Sequence, residues 1–181
     1  MSTAPVDVAP DLKPLFRPRS VAIIGASDKN PWTRLVAGTL DRIGFSGDLH
    51  LVNPRNSTVL GRPAAPSCTA IGSAVDAAFV AVPTEAVFDA LRDMSEGGIR
   101  YGAIVSSGFA ETGADGAALQ CRLTGLAAEL GIAILGPNSL GFINFRDRVA
   151  LSAIPLGRPP IADGHLAIVS QSGATAAMLL R

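Results

Sequence analysis

Short apolar runs, each closed by glycine, proline or a polar turn, recur along this chain and limit its fold more than any other feature. Ser20-Val21-Ala22-Ile23-Ile24 ends at Gly25, Leu49-His50-Leu51-Val52 ends at Asn53-Pro54-Arg55, and Ala77-Ala78-Phe79-Val80-Ala81-Val82 ends at Pro83. Ala103-Ile104-Val105 and Ile132-Ala133-Ile134-Leu135 follow the same rule. Such runs suit strands buried on both faces. Between them stand helical stripes. Asn30 and Pro31 predict a cap and first turn ahead of Trp32, Leu35, Val36, Leu40 and Ile43, with Gly44 as the stop. Thr84 is expected to cap a helix carrying Val87, Phe88, Leu91 and Met94, and Leu119, Leu123, Leu126 and Leu130 line another. Strands alternating with amphipathic helices predict an α/β, doubly wound parallel sheet of the Rossmann-like kind over residues 11–145.

The remainder of the chain divides around that unit. Residues 1–10 read as a flexible tail and residues 146–163 as a linker with Pro159-Pro160. Leu166-Ala167-Ile168-Val169 is expected to be one more buried strand, running through Ser170-Gln171-Ser172-Gly173 into a helix start at Ala174. A strand and half a helix cannot bury their own apolar faces, so residues 164–181 are expected to be the truncated start of a second domain.

Composition narrows the function classes. The 181 residues are 48% apolar and carry 15 basic against 15 acidic side chains, which gives no electrostatic reason to expect nucleic acid or a charged membrane surface. No apolar run reaches bilayer length. The first ten residues hold no basic stretch followed by an apolar one, so a secretory leader is not expected and the expected compartment is the cytoplasm. Cys68 and Cys121 are too far apart in sequence for a metal or redox motif, and Cys121 is expected to be partly exposed. His50, inside a strand, is expected to be a satisfied core imidazole, and His165 has no visible partner. No catalytic residue and no metal site is predicted.

Ligands of open parallel sheets bind at the carboxyl ends of the strands, and the polar turns gather there. The backbone N–H groups of the loop Gly25-Ala26-Ser27-Asp28-Lys29-Asn30-Pro31 and the helix after it form a candidate anion site, although only the first glycine of a dinucleotide fingerprint is present. At the end of the second strand the chain offers Arg55 in place of the acid that an NAD ribose prefers. A guanidinium there favours a phosphorylated ribose, as in NADP or coenzyme A. Ser106-Ser107-Gly108 and Gly136-Pro137-Asn138 close two further strands with small or uncharged groups that let a ligand approach.

Six stretches, in order, resemble the CoA-binding domain of the NDP-forming acyl-CoA synthetases, the superfamily of the succinyl-CoA synthetase alpha subunit. They are Leu15 to Ser27, Val52 to Arg55, Val75 to Pro83, Ser106 to Glu111, Gly136 to Asn138 and Ile168 to Gly173. The resemblance implies a ligase converting a carboxylic acid, ATP and coenzyme A to acyl-CoA, ADP and phosphate. It implies coenzyme A as ligand, with Gly25, Ala26, Ser27 and Asp28 around phosphates and Asn53, Pro54 and Arg55 beside the phosphorylated ribose. Val82 and Pro83 would border adenine, Ser106, Ser107 and Gly108 the pantetheine arm, and Gly136, Pro137 and Asn138 the thiol end. Ser170, Gln171, Ser172 and Gly173 would form a phosphate site opening a flavodoxin-like second domain.

Two departures stand out. Ser139 occupies a position where many members carry cysteine, and His50 and His165 match no phosphate-carrying histidine of the family. That histidine, ATP and Mg belong by implication to further C-terminal domains, the expected partners, so this segment alone is expected to bind and not to catalyse. A stand-alone CoA-binding or regulatory module and an NADP-dependent oxidoreductase domain are the alternatives, and homo-oligomer formation is left open.

Overall fold

The computed structural model describes residues 11–156 and 164–180. A short helix α1 (Lys13–Phe16) precedes β1 (Ser20–Ile24), α2 (Pro31–Ile43), β2 (Asp48–Val52), β3 (Thr58–Val59) and β4 (Arg62–Ala65). Then come β5 (Ala77–Val80), α3 (Val87–Glu96), β6 (Tyr101–Ile104), α4 (Ala114–Glu129) and β7 (Ala133–Leu135). A hairpin, β8 (Gly141–Asn144) and β9 (Val149–Ser152), and helix α5 (Gly173–Leu179) complete the order. Seven strands form one sheet in the order β3-β4-β2-β1-β5-β6-β7, parallel except for β3.

Side chains two apart share a sheet face, and here both faces are apolar. Val21, Ile23, Ala77 and Phe79 enter one core with Val36 and Leu40 of α2 and Val149 and Leu151 of β9. Ala22, Ile24, Ala78 and Val80 enter the other with Leu91 and Met94 of α3 and Leu123 of α4. This double coverage is why the strands read as unbroken apolar runs. Phe79 is fully buried at the sheet's centre, where truncation to alanine costs about 3–5 kcal/mol. Helix α2 begins and ends where the sequence places it: the Asn30 side chain accepts from the Trp32 N–H, and Gly44 is left-handed.

The structure departs from the sequence reading in four places. The stretch after Arg146 is no mere connector: β9 is buried throughout, pairs with β8 and covers α2. Leu156 just beyond it is buried, and its carbonyl accepts from the Arg42 guanidinium. Secondly, Thr84 does not cap α3. It opens a 3₁₀ turn (Thr84–Ala86), and its hydroxyl donates to the Ser107 carbonyl at 2.6 Å. Thirdly, the Gly- and Pro-rich excursion after β2 contributes β3 and β4, with Pro63 placed on an outer pair where a missing N–H is tolerated.

The fourth departure is Leu166 to Val169, which forms no helix and joins no strand among the described residues. Leu166 is 82% and Val169 100% exposed, so the run that looked like a buried strand buries nothing here. A strand needs a ladder and a covered face, and apolar content supplies neither. Helix α5 starts against the first unit: Gly173 lies so close to the Leu140 side chain that a Cβ would collide with it.

Candidate functional site

A cleft of about 700 Å³ opens at the carboxyl ends of β1, β2 and β5. Its walls come from the β1–α2 loop (Gly25, Ser27, Asp28, Lys29, Asn30), the turn after β2 (Asn53 to Asn56) and the segment after β5 (Ala81, Val82, Pro83, Ala86). The volume falls within the usual range for small-molecule sites. Another cleft, of about 240 Å³, lies at the amino ends of β6 and β7 beside Arg100, Tyr101 and Ile132. Open parallel sheets bind ligands at the opposite end, so the larger cleft is the candidate site.

Two asparagines fix its shape. The Asn30 amide donates to the Gly25 carbonyl at 3.3 Å and to the Ala81 carbonyl at 2.9 Å, tying the β1 loop to the end of β5. The Asn53 amide donates to the Ala26 carbonyl at 2.6 Å, while its oxygen accepts from the N–H groups of Arg55 and Asn56 at 2.8 and 2.9 Å. Asn53 therefore ties the β1 loop to the turn that carries Arg55. Gly25 sits where the strand ends converge: its φ is +80°, and a Cβ there would stand 2.6 Å from Val82 Cγ1 and 2.7 Å from the Ala81 oxygen. Only glycine meets both demands without displacing backbone.

The β1–α2 loop spends most of its N–H groups internally. Those of Gly25 and Ala26 donate to the Val52 carbonyl at 3.1 and 3.0 Å, that of Ser27 to Thr33 Oγ1 at 3.0 Å, and that of Lys29 to Ser27 Oγ at 3.2 Å. Asp28 Oδ1 accepts from the Leu60 N–H at 3.0 Å, and the Asp28 carbonyl accepts from Arg34 at 2.6 Å. Lys29 and Arg55 are exposed, and neither side chain forms an ion pair or hydrogen bond among the described residues. The cleft thus carries two cations without ion-pair partners among the described residues, the Asp28 carboxylate and an apolar wall.

Of the residues singled out from sequence, Gly25, Ser27, Asp28, Asn53, Pro54, Arg55, Val82 and Pro83 line this cleft. Ala26 is buried beneath it. Ser106, Ser107, Gly108, Gly136, Pro137 and Asn138 do not line it, but adjoin it through a chain of contacts. The Ser106 hydroxyl donates to the Val82 carbonyl at 2.6 Å, and the Asn138 N–H donates to the Ser106 carbonyl at 2.9 Å. Glycine at 136 is required sterically, since its φ is +112° and a Cβ would meet the Ile104 oxygen at 2.6 Å. Burial alone would raise the Glu111 carboxyl, yet the N–H groups of Glu111, Gly108 and Phe109 outweigh it and hold that carboxyl below its ordinary value. Glu111 Oε1 accepts from the Gly108 N–H at 2.5 Å. Ser170, Gln171, Ser172 and Gly173 stand apart from the cleft, with the Ser172 hydroxyl accepting from the Thr175 N–H at 3.3 Å.

The cleft is also lined by Lys29 and Asn30, which belong to the loop read from sequence as an anion site but with no role for their side chains, and by Asn56, Ala81 and Ala86, which carry no site expectation from sequence. Lys29 and Asn56 had a signal, being polar neighbours of candidate positions, whereas Ala81 and Ala86 had none. Away from the cleft, burial first and then the Asp93 carboxylate push the Cys68 thiol far up, so it is no nucleophile. Cys121 is exposed, as expected. His50 departs from expectation, because its Nε2 is buried with no hydrogen-bond partner. It shares a sheet face with Ala22 and Val52, an apolar surface that offers no acceptor.

Comparison with known proteins gives a consistent picture. A family model described as CoA binding domain matches residues 19–144. A trans-feruloyl-CoA synthase FCS1 from an unknown prokaryotic organism is 38% identical over 168 residues, covering 91% of this chain and 24% of the relative. An ADP-forming acetate–CoA ligase II of Archaeoglobus fulgidus is likewise 38% identical over 167 residues, covering 91% and 24%. Among solved structures, the Ca. Korarchaeum cryptofilum dinucleotide forming acetyl-coenzyme A synthetase 1 in complex with phosphate and ADP superposes with a TM-score of 0.85 at 29% identity. That match covers 94% of this chain and 36% of the solved one. The chain thus spans about a quarter of the length of these two curated relatives.

Proposed function

The chain belongs to the CoA binding domain family, and from that premise we propose that the cleft at the ends of β1, β2 and β5 binds coenzyme A. The observation that carries the proposal is Arg55. It stands exposed on the turn after β2, free of any internal ion pair among the described residues, where a ribose-binding acid would otherwise stand. Its guanidinium suits a phosphate on the ribose, which coenzyme A carries at the 3′ position.

The remaining residues fit the other parts of such a ligand. The loop Gly25, Ala26, Ser27 and Asp28 lies beside the diphosphate, and Asn53 and Pro54 shape the turn that presents Arg55. Val82 and Pro83 offer an apolar border for adenine. Ser106, Ser107 and Gly108 flank the pantetheine arm, with Gly136, Pro137 and Asn138 towards its thiol. Bound there, coenzyme A supplies a thiol nucleophile; the residues of this chain hold and orient it.

For the whole protein we propose an NDP-forming acyl-CoA synthetase, joining a carboxylic acid to coenzyme A at the expense of ATP. Residues 11–145 with the β8–β9 hairpin form its CoA-binding domain, and residues 164–181 begin the next. ATP and magnesium are needed by other segments of the ligase. Titration calorimetry tests the central assignment. Coenzyme A is expected to bind about tenfold more tightly than 3′-dephospho-CoA, as one charge-assisted contact supplies. Arg55→Ala is expected to abolish that preference. Equal binding of the two ligands by the unaltered chain would refute the role of Arg55.

A further inference from the structure

We propose that Lys29 supplies the anion-binding charge of the β1–α2 loop, and is the residue that holds the diphosphate of coenzyme A. The inference rests on the reading of the cleft as a coenzyme A site and deepens it.

A strand–loop–helix turn ordinarily offers an anion its free N–H groups and the positive end of the helix. In this chain that neutral cradle is closed. The N–H groups of Gly25 and Ala26 are held by Val52, that of Ser27 by Thr33, and that of Lys29 by the Ser27 hydroxyl. The Asn30 N–H donates to the Ser27 carbonyl at 3.1 Å. Pro31 has no N–H. The next two N–H groups, of Trp32 and Thr33, turn back to the Asn30 side chain and carbonyl at 3.0 and 3.2 Å. Among the described residues of the loop, only the Asp28 N–H is without an internal acceptor. A doubly charged diphosphate would have to break existing bonds or meet a formal cation.

Four charged side chains surround the loop. Asp28 has the wrong sign, and its Oδ1 is engaged by the Leu60 N–H. Arg34 is held by the Asp28 carbonyl and lies outside the cleft lining. Arg55 belongs to the turn after β2, on the side assigned to the ribose phosphate. Lys29 remains: it lines the cleft, is exposed, and carries an ammonium free of ion pairs among the described residues. Its flexible stem and compact charge suit phosphate oxygens without fixed geometry.

The test separates the two cations by their phosphates. Coenzyme A and 3′-dephospho-CoA share the diphosphate, so Lys29→Gln is expected to weaken both about tenfold and leave their affinity ratio unchanged. Lys29→Arg is expected to restore both, and the melting temperature of Lys29→Gln to match that of the unaltered chain. Arg55→Ala, in contrast, collapses the ratio. Binding of both ligands by Lys29→Gln as tightly as before overturns the assignment of Lys29 and leaves the coenzyme A reading standing. Loss of affinity for coenzyme A alone moves Lys29 to the ribose phosphate and also overturns it. An unaltered chain that binds neither ligand refutes the coenzyme A reading and this inference with it.

Discussion

Replacing Asn53 by alanine removes three hydrogen bonds from one side chain, and the cost follows from where each bond lies. The bond to the Ala26 carbonyl is 2.6 Å long and half-buried, whereas those from the N–H groups of Arg55 and Asn56 are exposed. Net hydrogen-bond contributions run about 0.5–1.5 kcal/mol each, larger where water is excluded. Together they stabilise the fold by about 2 kcal/mol. In a chain of this size that is a fall in melting temperature of about 4–8 °C. Asn53→Asp separates the contributions: it keeps the acceptor for Arg55 and Asn56 but turns an oxygen towards the Ala26 carbonyl. A carbonyl left without its donor costs about 1–3 kcal/mol, so the aspartate variant is expected to be no more stable than the alanine one. Urea unfolding of the three proteins, followed by far-UV circular dichroism, measures this directly. Both variants should also bind coenzyme A more weakly, because the turn that positions Arg55 is no longer tied to the β1 loop. An aspartate variant as stable as the unaltered chain would refute the tie to Ala26 as a structural element.

Three further outcomes follow from the geometry. Gly25→Ala forces a left-handed backbone and a Cβ within 2.7 Å of the Ala81 oxygen; a loss of about 2–4 kcal/mol is expected by urea unfolding. Ellman titration of the native protein at pH 8 should count one reactive thiol, Cys121, and a second only in denaturant, since burial and Asp93 keep Cys68 protonated. Backbone N–H groups of Glu111, Gly108 and Phe109 outweigh desolvation and hold the Glu111 carboxyl below its ordinary range. The stability difference between the unaltered chain and Glu111→Gln should therefore be complete above about pH 5, and should vanish as the pH falls through that depressed pKa. The Gly108 amide resonance, followed across the same range, reports the loss of its bond to Glu111.

The parts of this fold legible in the sequence are those whose cause is local. Asn30, Pro31 and Gly44 mark α2 because a cap, a first turn and a left-handed stop each select particular residues. β1 and β5 are legible because burial on two faces leaves no polar alternation. The same rule reads Leu166 to Val169 as a strand, and the run pairs with no strand among the described residues. It also missed β9, where Val149-Ala150-Leu151-Ser152 is buried only because the hairpin folds back over α2. The candidate site divides in the same way. Gly25 and Arg55 follow directly from strand ends, whereas the tie from Asn53 to Ala26 and the Val52 carbonyl that closes part of the cradle beside Lys29 depend on partners more than 20 residues away.

The account's central claim is that coenzyme A binds across the ends of β1, β2 and β5. Amide chemical-shift mapping on titration with coenzyme A tests it most directly. The largest shifts are predicted in three segments: 25–30, 53–56 and 81–86. Shifts confined to the opposite end of the sheet, around Arg100, Tyr101 and Ile132, would contradict it, as would a spectrum that coenzyme A leaves unchanged.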